Sequence, residues 1–97
     1  MIVGLKRNHE LVGAIGGLVA NDPSDGMLVM QEAFWFVHPL ARGRKSLSMV
    51  RDFERFAAER GCKRIFLGRL ADDERLAKYY VRQGYLELET FHAKELS

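Results

Sequence analysis

Arg42-Gly43-Arg44-Lys45-Ser46-Leu47 gathers cations, a glycine and a hydroxyl at one point of the chain, immediately before an amphipathic run. Such a set suits a pyrophosphate. The glycine lets the backbone approach closely, successive N–H groups at a helix start point at phosphate oxygens, and cationic side chains strengthen the field. A solvated basic loop is the plain alternative, and the loop alone does not decide between them. Glu32 stands earlier, inside the apolar run Met27 to Val37. Regular strand alternation puts it on one face with Met30, Phe34 and Phe36. A carboxylate among apolar groups has a raised pKa and suits a general base, whereas a strand-edge or lysine-paired glutamate is structural. Tyr79 and Tyr80 follow Leu76 at helical spacing and by themselves read as core aromatics. His9, His38 and His92 lie far apart with no metal-ligand spacing, so no metal site is expected. Cys62, the single cysteine, reads as a small core residue.

The elements that must position these residues alternate in type. Residues 2–7 and 10–20 are apolar-rich strands around an Asn8-His9-Glu10 turn, and Asn21 to Gly26 clusters turn formers before a long aromatic strand, Met27 to Val37. From Ser46, Leu47, Met49, Val50, Phe53, Phe56 and Ala57 recur at helical spacing up to Arg60-Gly61, where the glycine closes the helix. Ile65 to Gly68 predicts a short buried strand. Asp72 is the expected cap of a second helix reaching Gln83, with Asp73 and Glu74 in its first turn. Gly84 ends that helix, and the alternation from Tyr85 to Leu96 predicts a last strand. The order predicts an α/β (α+β) mixed sheet, antiparallel at its start, then strand, helix, strand, helix, strand. The strands on either side of the first helix should be parallel, which brings that helix's N-terminus and its basic loop to the end of the third strand.

Composition narrows the rest. A chain of 97 residues that is 47% hydrophobic suits a single domain over 1–97 with one core. A net charge of +2 favours neither a disordered acidic chain nor a dedicated nucleic-acid binder. Neither a leader pattern nor an apolar run near membrane-spanning length stands out, so the expectation is a cytoplasmic protein without a membrane partner.

Val37-His38-Pro39-Leu40-Ala41-Arg42-Gly43 ahead of a helix resembles the V-x-P-x-x-R-G lead into the acetyl-CoA loop of the GNAT superfamily of N-acetyltransferases. Lys45 and Ser46 stand where that family commonly has small glycines, a variant similar to small bacterial and phage-type members. Phe53 to Gly61 is similar to the family's FE-x-W-A-x-x-x-G helix end. Leu76 to Tyr85 is similar to its A-x-x-x-Y-x-x-x-G-[FY] segment, with the Tyr80 to Gly84 spacing kept. The resemblance covers residues 10–95 and implies a GNAT-like sheet that lacks the family's usual N-terminal strand and helices.

What it implies for chemistry is direct attack of an amine on acetyl-CoA as co-substrate. Glu32 is then the general base, and Tyr80 protonates the departing thiolate or bonds to its sulfur. Main-chain groups near Trp35, Phe36 and Val37 hold the pantetheine arm, and Arg42, Gly43, Arg44, Lys45, Ser46 and Leu47 hold the pyrophosphate, with Ser46 capping the helix. Asp73 takes the place of a frequent family asparagine. The acceptor is a small-molecule or protein amine. A homodimer would remedy the small core. Two other readings stand beside this one: a non-catalytic acyl-CoA-binding or regulatory module, and a nucleic-acid binder using Arg42, Arg44 and Lys45, which lacks a wider basic stripe.

Overall fold

The computed structural model describes residues 2–69, 73–89 and 91–96, the Lys45 side chain apart. The first strand, β1 (Ile2–Arg7), turns into β2 (Glu10–Asn21) through Asn8 and His9 alone, both at positive φ (51° and 67°). Two positive φ values in a two-residue turn match the right-handed twist of the strands they join, and Asn tolerates that region well. Glu10 therefore belongs to β2, where it faces Arg7.

Between β2 and β3 (Leu28–Val37) the Asp22 carboxylate accepts from the Ser24 N–H and hydroxyl, and the Asp25 carboxylate accepts from the Met27 N–H. Arg64, the first residue of β4 (Arg64–Phe66), then donates to Asp22 at 2.9 Å and to Asp25 at 2.6 Å. Both carboxyls sit below their ordinary range, Asp22 chiefly through the Ser24 bonds and Asp25 chiefly through Arg64. These bonds seat β4 beside the start of β3. The sheet order is β1-β2-β3-β4, antiparallel across the first two pairs and parallel across the last. This is the mixed sheet expected, with parallel strands on either side of the first helix.

That helix, α1 (Arg44–Glu59), covers one face of the sheet. Met49, Phe53 and Ala57 meet Val3, Ile15 and Met30 in the main core. Phe53 reaches the sheet because residue 17 is glycine: a Cβ there would stand 2.5 Å from the Phe53 ring. The second helix, α2 (Glu74–Arg82), packs Tyr79 and Tyr80 on Val50, and Trp35 and Leu67 touch both clusters. Each helix ends the same way. Cys62 N–H bonds Ala57 O and Gly61 N–H bonds Ala58 O; Tyr85 N–H bonds Tyr80 O and Gly84 N–H bonds Val81 O. In both, a glycine with φ above +80° lets the chain close its last carbonyls.

Three boundaries differ from expectation. α1 begins at Arg44, not Ser46, because Gly43 is its cap. β4 stops at Phe66, short of Gly68. α2 is capped by Asp73, whose carboxylate accepts from Leu76 N–H at 3.0 Å, and Asp72 lies outside the described residues. The strand expected over 85–96 is not formed among the described residues. Its alternation fits a strand, but a strand needs a partner edge. No described strand pairs with this segment, and Leu86, Leu88, Phe91 and Leu96 stand 70–90% exposed.

Candidate functional site

Alternation along β3 is broken once, and the break builds the site. Gly16 pairs with Phe34 and Gly17 with Glu32, so Ala33 is an extra residue, a bulge. Met30 and Glu32 before the bulge, and Trp35 and Val37 after it, consequently share the α1 face, where Trp35 and Val37 pack on the core. Phe34 and Phe36 fall on the opposite face, 42% and 56% exposed. Glu32 thus keeps Met30 as a neighbour but not Phe34 or Phe36, which corrects the uninterrupted alternation.

β3 pairs with β4 only from Val29 to Gln31, and past that point the two strands part. His38 N–H bonds Val12 O at 2.7 Å, so alternate residues Phe36 and Phe34 turn their backbone groups toward β2. Trp35 and Val37 turn theirs to the opposite edge, which no described strand pairs along that stretch. Of the three residues whose main-chain groups are of interest, Trp35 and Val37 point theirs to that edge and Phe36 points its own to β2. The Arg42 side chain reaches that edge, its Nε donating to Val37 O at 3.1 Å.

At one end of this edge the chain makes a single 3-10 turn over Pro39–Ala41, capped by His38 Nδ1 accepting from Leu40 N–H. α1 follows. Gly43, at φ 142° and with nothing within 4 Å of a built Cβ, takes a conformation other residues rarely adopt and leaves the helix start uncrowded. Ser46 is buried, and its hydroxyl accepts from Gly43 N–H at 2.9 Å and donates to Gly43 O at 2.6 Å. Ser46 thus caps the helix from its third position, with Gly43 and not Ser46 as the cap residue itself. Leu47 N–H closes the first helical bond, to Gly43 O. The N–H groups of Arg44, Lys45 and Ser46 precede that bond and have no carbonyl within the helix to receive them. No acidic residue occupies this first turn, and the Arg42 and Arg44 side chains are exposed.

At the other end stand Glu32 and Tyr80. Gly68 N–H donates to Glu32 Oε2 at 3.3 Å, and the Tyr80 hydroxyl donates to Gly68 O at 2.9 Å. Two residues separated by 48 positions meet at one glycine just past β4. Burial raises the Glu32 carboxyl above its ordinary value, opposed by the Gly68 bond. Burial also pushes the Tyr80 phenol up, with smaller contributions from Glu32, Tyr85 and Asp73. Tyr79 points elsewhere, its hydroxyl donating to Leu47 O at 3.4 Å, so it packs rather than joins the site. Asp73 lies at the start of α2 with its carboxylate in the cap.

In the sequence Gly68 reads only as the end of a strand. A glycine after a buried strand signals a close approach, and no local pattern says what approaches. The Ala33 bulge likewise has no local signature. An open groove of about 380 Å³ beside Ala77, Lys78, Val81 and Arg82 lies on the far side of α2 and contains no carboxylate or hydroxyl side chain. Among the described residues no group of three or more His, Cys, Asp or Glu could hold a metal ion, and no helix is long and apolar enough to cross a membrane.

The model of the acetyltransferase (GNAT) family matches residues 1–85. No curated protein matches the chain. Among solved structures, the ribosomal-protein-alanine N-acetyltransferase of Brucella melitensis biovar Abortus 2308 superposes with a TM-score of 0.77 at 19% identity, over 98% of this chain and 70% of that one. The aminoglycoside N-acetyltransferase AAC(6')-Iy, in complex with CoA, gives 0.76 at 18% identity, over 97% and 75%. A transcriptional regulator from Bacillus halodurans C-125 gives 0.83 at 18%, over 98% and 65%. At these identities the likeness is one of fold. The chain spans between 60% and 75% of the length of the structures it resembles.

Proposed function

Since this chain belongs to the acetyltransferase (GNAT) family, its match running over residues 1–85, we propose that it binds acetyl-CoA and transfers the acetyl group to an amine by direct attack. The observation that carries this reading is the unpaired edge of β3, bounded by the α1 N-terminus at Val37 and by Glu32 with Tyr80 at its other end. Glu32 to Val37, with the Ala33 bulge between them, lies opposite four steps of β2 and spans about 13 Å. A pantetheine arm has comparable reach by ordinary covalent geometry.

In this reading the pyrophosphate lies against the N–H groups of Arg44, Lys45 and Ser46, with Arg42 and Arg44 supplying charge and Gly43 supplying room. The pantetheine amides bond the Trp35 and Val37 backbone. Arg42 must release Val37 O where the arm needs it. Leu47 contributes packing beside Tyr79, and Phe36 holds β2.

At the thioester the amine nitrogen attacks the carbonyl carbon, the C–N bond forms and the C–S bond breaks. Glu32, with its raised pKa, takes the amine's proton and returns it to solvent. Burial raises the Tyr80 phenol above its ordinary value near 10, whereas a thiol such as that of cysteine ionises near 8.5. Complete transfer of the phenolic proton to the thiolate would therefore run uphill. This favours the second of the two roles expected of Tyr80, a hydrogen bond to the departing sulfur, with the thiolate finally protonated by water.

Relatives by fold include enzymes named for a ribosomal-protein alanine and for aminoglycosides, so the amine is to be found by experiment. The test is thiol release from acetyl-CoA against a panel of polyamines, aminoglycosides, amino acids and peptides, with thermal shift on acetyl-CoA addition. A shift with wild type, lost in Arg42→Ala, is expected, together with turnover that falls at least about 100-fold in Glu32→Gln. No shift at high acetyl-CoA would sink the reading. A shift without turnover for any acceptor, and unchanged by Glu32→Gln or Tyr80→Phe, would leave an acyl-CoA-binding module instead.

A further inference from the structure

We propose that Gly68 is the positioning residue of this site, its N–H fixing the Glu32 carboxylate and its carbonyl holding the Tyr80 hydroxyl, so that base and sulfur ligand are set by one main-chain residue. The assignment deepens the acetyl-transfer reading and rests on it for its catalytic meaning.

The geometry carries it. Glu32 comes from β3 and Tyr80 from α2, and these elements share no strand pairing. Gly68 belongs to neither and bonds both, at 3.3 Å and 2.9 Å. Its two groups belong to different peptide units, so the link is one of position and not of conjugation through a single amide. The role is one of main-chain position and not of residue type: a Cβ at position 68 would make only ordinary van der Waals contact with Glu32 Oε2, at 3.4 Å. β4 ends two residues earlier, which frees the Gly68 backbone from the sheet ladder to serve side chains.

Two consequences follow. The Gly68 N–H bond favours the charged carboxylate, so it limits how far burial raises Glu32 and keeps the base usable near neutral pH. The Tyr80 hydroxyl, parked on Gly68 O, is poised but unavailable; it must turn from that carbonyl to meet sulfur. The titratable groups around the pair are Tyr79, Tyr85 and Asp73 at Tyr80, and Arg69 next to Gly68, which is paired with Glu87 at 3.1 Å.

The decisive variant replaces the Gly68 N–H with an ester oxygen, leaving every side chain in place. The Gly61-Cys62 junction suits chemical ligation of a synthetic 62–97 segment carrying glycolic acid at position 68. In protein labelled with carbon-13 at glutamate carboxyls, the Glu32 titration midpoint should rise by about 0.5–1 unit in the ester variant. Tyr80→Phe, which frees the carbonyl side of the anchor, should move it in the same direction by less, and Tyr79→Phe should leave it in place. In the unmodified chain the Gly68 amide proton should titrate with Glu32, and Glu32→Gln should flatten that response.

The acid limb of the pH profile for thiol release should shift upward with the ester. An unmoved Glu32 midpoint in the ester variant, or a Gly68 amide indifferent to Glu32, overturns the assignment. The carboxyl and amide titrations need no turnover. They can succeed where acetyl-CoA binding fails, which would sink the acetyl-transfer reading alone, and the converse outcome would sink only the role of Gly68.

Discussion

α1 and α2 start under the same physical requirement and meet it in opposite ways. Every helix N-terminus presents unpaired N–H groups and a partial positive charge. α2 answers from within: Asp73 accepts from Leu76 N–H, and Glu74 adds a second carboxylate in the first turn. α1 has a side chain without atoms to offer at its cap, a serine turned inward onto Gly43, no acid in its first turn and exposed Arg42 and Arg44 beside it. Both helices end in the same glycine-closed manner, so the difference is confined to their starts. A helix start left positive by its own sequence is a place for an external anion, whereas one neutralised by its own carboxylates is structure.

Making α1 resemble α2 is the strongest way to break the contrast. Arg44→Glu puts an acid where Glu74 stands in α2, and acetyl-CoA affinity should fall about 30-fold or more, since a charge-assisted contact is lost and a repulsion gained. Thermal stability should hold or rise by a few degrees, because acid at a helix start is favourable. Calorimetric titration beside a melting curve reads both. Equal affinity in the variant would mean the phosphates lie elsewhere.

Ser46→Ala strips the inward bond and strands the Gly43 N–H, at about 1–2 kcal/mol, a drop in Tm on the order of 5–10 °C. Asp73→Ala removes the other cap at about 1 kcal/mol, or roughly 4–8 °C, with acetyl-CoA affinity within about twofold of wild type. A tenfold loss of affinity in Asp73→Ala would return Asp73 to the cofactor site and erase the distinction between the two helix starts.

The readable and unreadable parts of the site separate along the same physical line. Arg42, Gly43 and the helical stripe from Leu47 to Ala57 announce α1 and its cationic start because glycine preference, periodicity and charge are local. So are Gly61 and Gly84 as helix ends. In the sequence Tyr80 differs from Tyr79 only by its spacing to Gly84, and in the fold their hydroxyls bond different carbonyls, Gly68 O and Leu47 O. Strand periodicity locates Glu32 in β3 but not its neighbours, since the bulge at Ala33 reflects how β2 and β3 pair, which neither strand shows alone. The strand expected over 85–96 is absent among the described residues for a related reason: alternation describes one segment, and pairing needs two. Gly68 is the extreme case, its role residing entirely in groups from β3 and α2 that the fold brings to it.

Glu32 sharpens the contrast once more, as a half-buried carboxylate with no cation among its bonded partners in the described residues. Burial raises its pKa, so the folded protein holds this proton more tightly than the unfolded chain does. The contribution to stability is fully present below the ordinary carboxylate value and is lost as pH rises through the raised one. Above that window the ionised carboxylate stands as a cost of folding. Glu32→Gln keeps an oxygen for the Gly68 N–H and carries no charge, so it should raise Tm by no more than a few degrees at pH 7–8. The gain should vanish below about pH 4, where wild-type Glu32 is protonated as well. A melting series across pH reads the window directly. A variant less stable than wild type at neutral pH would show that Glu32 is held there by a favourable ion pair, contrary to a carboxylate that burial keeps ready to accept a proton.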